Sequence, residues 1–188
     1  MGRWPADARE RLERAAVELF VEKGFAATTV PEITARAGLT TRTFHRHFAD
    51  KREVLFAGGE FADLATRMIA DAPAEWEPMR VVAEGLLAVA ATRFDGRRDE
   101  LLVRREIVRS DAGLRERELQ KWADLGRAGT AGFAARGIEP LRAALLAETA
   151  VTLLRVSAEQ WLDQSGDRSL ADILREACQA LRDAAATL

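Results

Sequence analysis

Thr28-Thr29-Val30-Pro31-Glu32-Ile33-Thr34-Ala35-Arg36-Ala37-Gly38-Leu39-Thr40-Thr41-Arg42-Thr43-Phe44-His45-Arg46-His47-Phe48-Ala49-Asp50-Lys51 is the most informative run in this 188-residue chain. Thr29 and Glu32 have the spacing of a capping box, in which hydroxyl and carboxylate reciprocally satisfy the first free amides of a helix. Pro31 falls in the first turn, where a missing N–H costs nothing. The helix so started is short, from Val30 to about Ala37, because Gly38 permits the left-handed turn that ends it. Thr40 or Thr41 can cap a third helix to about Phe48, and Asp50 a fourth beginning at Lys51. Two short helices joined by Ala37-Gly38-Leu39-Thr40 have the length and the glycine turn of a helix-turn-helix, whose second helix enters a DNA major groove.

The apolar residues suit that arrangement. Val30, Ile33, Ala37, Leu39, Phe44 and Phe48 can bury with Leu19, Phe20 and Phe25, which leaves Thr41, Arg42, His45 and Arg46 pointing outward. Hydroxyls, guanidinium groups and imidazoles suit phosphate oxygens and base edges, and Arg42 can pair with guanine O6 and N7. A merely solvated polar helix face is the competing reading.

Working outward, the first helix runs from about Ala6 to Lys23, with Leu12, Ala16, Leu19 and Phe20 on one face and Gly24 as its stop. Beyond the fourth helix, Pro73 and Pro78 interrupt the chain. Further helices follow at about 78–94, 98–109, 112–136, 140–163 and 169–186. Helical periodicity dominates throughout and no β-branched alternation persists, so the predicted fold is all-α, with about nine helices.

Composition is that of a globular protein, 48% hydrophobic and 31% charged. The net charge of −2 hides a difference between the halves. Residues 1–56 carry ten Lys and Arg against eight Asp and Glu, whereas 57–188 carry eighteen against twenty-two. From Arg36 to Arg52 five basic residues face Asp50 alone, and both histidines lie in this window. A single cysteine, Cys178, allows no internal disulfide and points to an intracellular protein. Apolar runs such as that ending before Arg93 fall short of the roughly 18 residues of a membrane span, and no signal-peptide core opens the chain.

Catalysis finds no support. Both histidines sit in the basic window, Cys178 lies in a terminal amphipathic helix, and there is no glycine-rich phosphate loop or HExxH. No cofactor is expected. His45 and His47, two apart on a helix, point in different directions and lack a third ligand, so no metal site is expected either.

The run from Thr28 to Lys51, with Phe20-Val21-Glu22-Lys23-Gly24-Phe25 before it, resembles the N-terminal DNA-binding domain of the tetracycline-repressor (TetR) family of bacterial transcriptional regulators. The resemblance covers about residues 8–56. It implies a helix-turn-helix domain over 1–56, its fourth helix continuing to about 71, and a ligand-binding and dimerisation domain over 57–188. It places Thr29 beside the DNA backbone and Thr40 and Thr41 at the start of the recognition helix. Thr43 and His45 take backbone-contacting positions, and Lys51 falls on the family's phosphate-contacting lysine. His45 stands where the family often has tyrosine and Arg42 where it often has glycine, which makes a base contact at Arg42 the distinctive expectation. The implied protein is a cytoplasmic repressor on a double-stranded DNA operator, released by a small-molecule effector, with no membrane association.

The resemblance also implies a homodimer in which the last two helices pair with their copies. Leu145, Thr149, Thr152, Leu153, Val156 and Gln160 form one stripe, and Ile173, Leu174, Ala177 and Leu181 another. The same stripes would also serve as the monomer's own core. Arg104-Arg105-Glu106-Ile107-Val108-Arg109-Ser110 resembles a subgroup with an acyl-CoA-like ligand-binding domain. Trp76, Phe94, Trp122, Phe133 and Trp161 are candidate pocket lining, in a cavity of roughly 300–1,000 Å³, with Arg104 or Arg105 as anion partner. Trp161 would equally serve as a dimer anchor.

Overall fold

A computed structural model of the chain describes residues 5–56 and 60–186. Among these are nine α-helices: α1 (Pro5–Lys23), α2 (Val30–Ala37), α3 (Thr41–His47), α4 (Glu60–Asp71), α5 (Pro78–Val89), α6 (Arg98–Ser110), α7 (Ala112–Ala135), α8 (Pro140–Asp163) and α9 (Leu170–Ala185). None of them is long and apolar enough to cross a membrane.

Local chemistry sets the boundaries. Gly38 adopts φ +64° after α2, so that the Leu39 N–H donates back to the Thr34 carbonyl at 2.8 Å, a closure disfavoured for a residue with a Cβ. Ser169 and Asp172 satisfy each other's amides at the start of α9. Side chains distant in sequence cap two helix ends. The Arg136 guanidinium donates to the Ile69 and Ala72 carbonyls at the end of α4 (2.9 and 2.6 Å), and Arg98 donates to the Leu162 carbonyl near the end of α8 (3.1 Å).

Two expected helices are broken. The helix predicted from Lys51 to about 71 is instead a 3₁₀ turn, Glu53–Leu55, followed by α4 from Glu60. Residues 57–59, which fall within that prediction, lie outside the described residues. The sequence there includes Gly58 and Gly59, each about 1 kcal/mol worse than alanine in a helix. The helix predicted over 78–94 passes after Val89 into a π-helical turn, Ala90–Phe94.

The chain divides into two compact units. One gathers the described part of residues 1–59 with Leu102–Lys121; the other holds the described part of 60–101 with 122–186. In the first, Leu12, Phe20, Ile33, Phe44 and Val54 bury with Ile107, Val108 and Leu114. The boundary read at 56/57 gives no hint that 102–121 enters this core, because an apolar stripe does not name the partner that covers it. In the second, Val81, Leu86, Phe133, Leu154, Trp161 and Leu170 are the core. The Ser157 hydroxyl is buried there without a hydrogen-bond partner among the described residues. Since a buried unsatisfied group costs about 1–3 kcal/mol, Ser157→Ala is expected to raise the denaturation midpoint, by about 1 kcal/mol in stability after allowance for the small void. Urea unfolding checks this; a loss of stability would show that the hydroxyl is satisfied.

Candidate nucleic-acid interface

The helix-turn-helix is built by two N-terminal caps and one aromatic anchor. At the start of α2, the Glu32 carboxylate accepts from the Thr29 N–H and hydroxyl at 2.8 and 2.7 Å, and it also pairs with Lys23. These donors, Lys23 first and then Thr29, hold the Glu32 carboxyl down at about 2. Thr40 caps α3 by accepting from the Thr43 N–H at 3.2 Å. Phe44, fully buried and packed on Phe48 at 5.3 Å, anchors the inner face of α3.

Anchoring one face turns the other outward. Thr40, Thr41, Arg42, His45 and Arg46 are exposed, and Thr43 is half-buried. Of the five basic residues between Arg36 and Arg52, three are committed inside the protein. Arg36 forms a two-pronged pair with Glu22 (both contacts 2.8 Å), and Arg52 pairs with Asp50 at 2.7 Å. Lys51 donates to the Phe25 and Thr28 carbonyls, both at 2.8 Å, and lies 4.3 Å from the centre of the Phe25 ring. Burial pushes its ammonium below the usual lysine range, opposed by Asp111 and Glu32. Arg42 makes no hydrogen bond or ion pair among the described residues, and Arg46 only a 3.5 Å contact with His47. His47 is half-buried, and burial, then Arg46 and Arg9, lowers its pKa from the ordinary value. The uncommitted positive charge of this window is therefore on α3.

The other predicted sites fare unevenly. A cavity of about 80 Å³ lies in the second unit among α4, α5, α7 and α8. It is smaller than the range expected from the sequence, and of the predicted lining only Phe133 borders it. Trp161 is buried edge-on to Phe94 at 6.1 Å, Trp76 stacks under Arg80 at 4.5 Å, and Trp122 packs at the edge of the same core. Arg104 and Arg105 belong to the first unit and are not among the residues that line the cavity. Arg104 donates to the Val54 carbonyl at 3.2 Å and lies 3.5 Å from Glu13, while Arg105 lies 3.8 Å from Glu106. Neither borders the cavity, and the partners of Arg104, a backbone carbonyl 50 residues back and Glu13, are ones that sequence spacing does not reveal. Among the residues missed is Gly85, whose place inside α5 was a legible anomaly.

The proposed dimer stripes split in the same way. Leu153, Ile173 and Leu174 are buried in their own chain's core, so they are not available to a partner. Leu145 (59% exposed), Val156 (45%), Thr152, Gln160 and Leu181 face outward, and Thr149 and Ala177 are half-buried.

An all-α chain whose second short helix presents unpaired donors on an apolar anchor has the architecture of a helix-turn-helix DNA-binding protein. Residues 13–58 match the family model of the bacterial regulatory proteins of the tetR family. TcmR, an HTH-type transcriptional regulator of Streptomyces glaucescens, is 35% identical over 89 residues, 47% of this chain and 39% of that one. The matches take in 39% and 19% of the lengths of two curated relatives. A transcriptional regulator from Aquifex aeolicus VF5 shares the fold over 93% of this chain and 98% of its own, with 21% identity and a TM-score of 0.55. Thermus thermophilus FadR, a TetR-family transcriptional repressor solved with lauroyl-CoA, covers 93% of each chain at 26% identity and a TM-score of 0.52. These relatives are transcriptional regulators, not enzymes.

Proposed function

We propose that the chain is a cytoplasmic transcriptional repressor that binds a near-palindromic operator as a homodimer and is released by a small-molecule effector. The observation that carries this reading is the contrast on the helix-turn-helix, where Arg42 and Arg46 stay uncommitted while their basic neighbours are paired. Residues 1–56, with 102–121 packed into the same core, form the reader, and the remainder forms the effector and dimerisation body. Thr41 and Arg42 read base edges; Thr29, Thr40, Thr43, His45, Arg46 and Lys51 lie along the phosphates. Lys51 has a double role, since its ammonium also fixes the turn between α1 and α2.

A two-fold dimer would set its recognition helices one DNA turn apart, about 34–36 Å. Leu141, Leu145, Thr152 and Val156 recur at helical spacing along the outer side of α8, an apolar face that a second copy would cover.

The test begins by selecting bound fragments from a genomic library. Arg42→Ala is then expected to cost about 1–3 kcal/mol at one preferred base pair and to relax specificity there. Lys51→Ala is expected to weaken all sequences alike and to flatten the salt dependence by about one unit of slope. Equal losses on operator and random DNA for Arg42→Ala would remove its assignment as a base reader.

A further inference from the structure

The cavity among α4, α5, α7 and α8 is walled entirely by apolar side chains and glycines, including Phe61, Met68, Val82, Phe133, Val151 and Leu154. Among the described residues, no charged or hydrogen-bonding side chain lines it. An anion placed there would be stripped of water with nothing to replace it, which apolar surroundings penalise heavily.

Glycine inside a helix is destabilising relative to alanine, so each such position calls for a reason. In this unit two of the four helix-interior glycines, Gly129 and Gly132, have one in close packing, while a Cβ at Gly126 would displace only the end of the exposed Glu148 side chain. A Cβ at Gly126 would meet the Glu148 carboxylate at 2.5 Å, at Gly129 the Ala147 Cβ at 3.0 Å, and at Gly132 the Ile69 side chain at 3.2 Å. Gly85 is different. Its nearest neighbour would be the Met68 Cε at 3.8 Å, an ordinary contact, so packing does not exclude a side chain there. What a side chain at 85 would occupy is the cavity, which Gly85 borders. Met68, unbranched and able to change rotamer, is the wall that can give way to an occupant.

We infer that this cavity takes a small, uncharged, apolar molecule and that Gly85 sets the largest one it admits. Only the description of that molecule as the effector rests on the regulator reading above. At about 80 Å³ the empty space is about half that of the roughly 150 Å³ engineered cavity known to hold benzene or xenon. A ring-sized occupant therefore requires Met68 to move, and a long acyl chain does not fit.

The experiment follows the methyl resonances of Val82, Val151 and Leu154 in the whole protein, without DNA, while benzene, cyclohexane or octanoate is added. Benzene and cyclohexane are expected to shift these methyls saturably, and octanoate to leave them in place. Gly85→Leu is expected to weaken benzene binding at least tenfold while its far-UV circular dichroism matches the parent's. Gly85→Ala is expected to weaken it less and to melt at a higher temperature than the parent. Octanoate shifting the same methyls at comparable concentration would overturn the inference, as would Gly85→Leu binding benzene within threefold of the parent. If Gly85→Leu does not fold, unchanged benzene affinity in Gly85→Ala would overturn it equally. Because no DNA is present, failure to recover an operator refutes the regulator reading and leaves the ligand result standing.

Discussion

Glutamate at both Leu145 and Val156 is expected to leave each chain folded, convert dimer to monomer, and weaken operator binding by roughly 10²–10⁴-fold. Both side chains are exposed in the single chain, so charging them removes no internal contact. In a dimer the same substitutions would bury opposed like charges, at a cost that the partner's identical face cannot relieve. The fall in affinity follows because two linked heads bind one operator with an effective concentration that a lone head lacks. Light scattering reads the oligomeric state and a salt-matched titration reads the affinity. A double variant that stays dimeric would remove α8 from the interface. Leu153 would not serve as the probe, since charging a core position unfolds the chain whatever the interface.

Glu53→Gln is expected to destabilise the first unit by about 2–3 kcal/mol at pH 7. The Glu53 carboxylate is buried and accepts from Arg117 Nε at 2.7 Å and from Lys121 at 2.8 Å. Breaking a fully buried pair costs about 3–5 kcal/mol; here the cations keep 35% and 22% of their side-chain surface, and water screens part of the loss. Burial alone would raise the Glu53 pKa, but the hydrogen bonds from Lys121 and Arg117 outweigh it and hold the carboxyl below its usual range. A depressed folded pKa contributes stability above the unfolded value, about 4.3, and loses it as the pH falls through the folded one. The gap between parent and Glu53→Gln is therefore expected to be widest at neutral pH and to close below about pH 4. Urea unfolding at pH 7, 5 and 3.5 measures it, and a gap independent of pH would show that the carboxylate charge is not what stabilises the turn.

How much of this was legible beforehand depends on the range of the interaction. The α2–turn–α3 unit could be read from the chain because its determinants are local: Thr29 and Glu32 three residues apart, Gly38 in the left-handed region, Thr40 capping Thr43. The same holds for the stop at Gly24, at positive φ. Lys51 and Arg104 also hydrogen-bond backbone carbonyls 26 and 50 residues back, contacts that no spacing rule marks.

The apolar stripes show the same limit. Leu153 and Val156 lie one helical turn apart on α8, but one is core and the other faces solvent. Apart from the 3₁₀ turn at Glu53–Leu55 and the π-helical turn at Ala90–Phe94, the sequence by itself determined which segments become helices and where they stop, because caps, glycines and periodicity act within a turn or two of the backbone. Tertiary structure alone decided that 102–121 joins the core of the helix-turn-helix, which arginines remain uncommitted, and that Gly85 borders a cavity. A helical stripe specifies that a face will be covered; what covers it is chosen by the packing of segments distant along the chain.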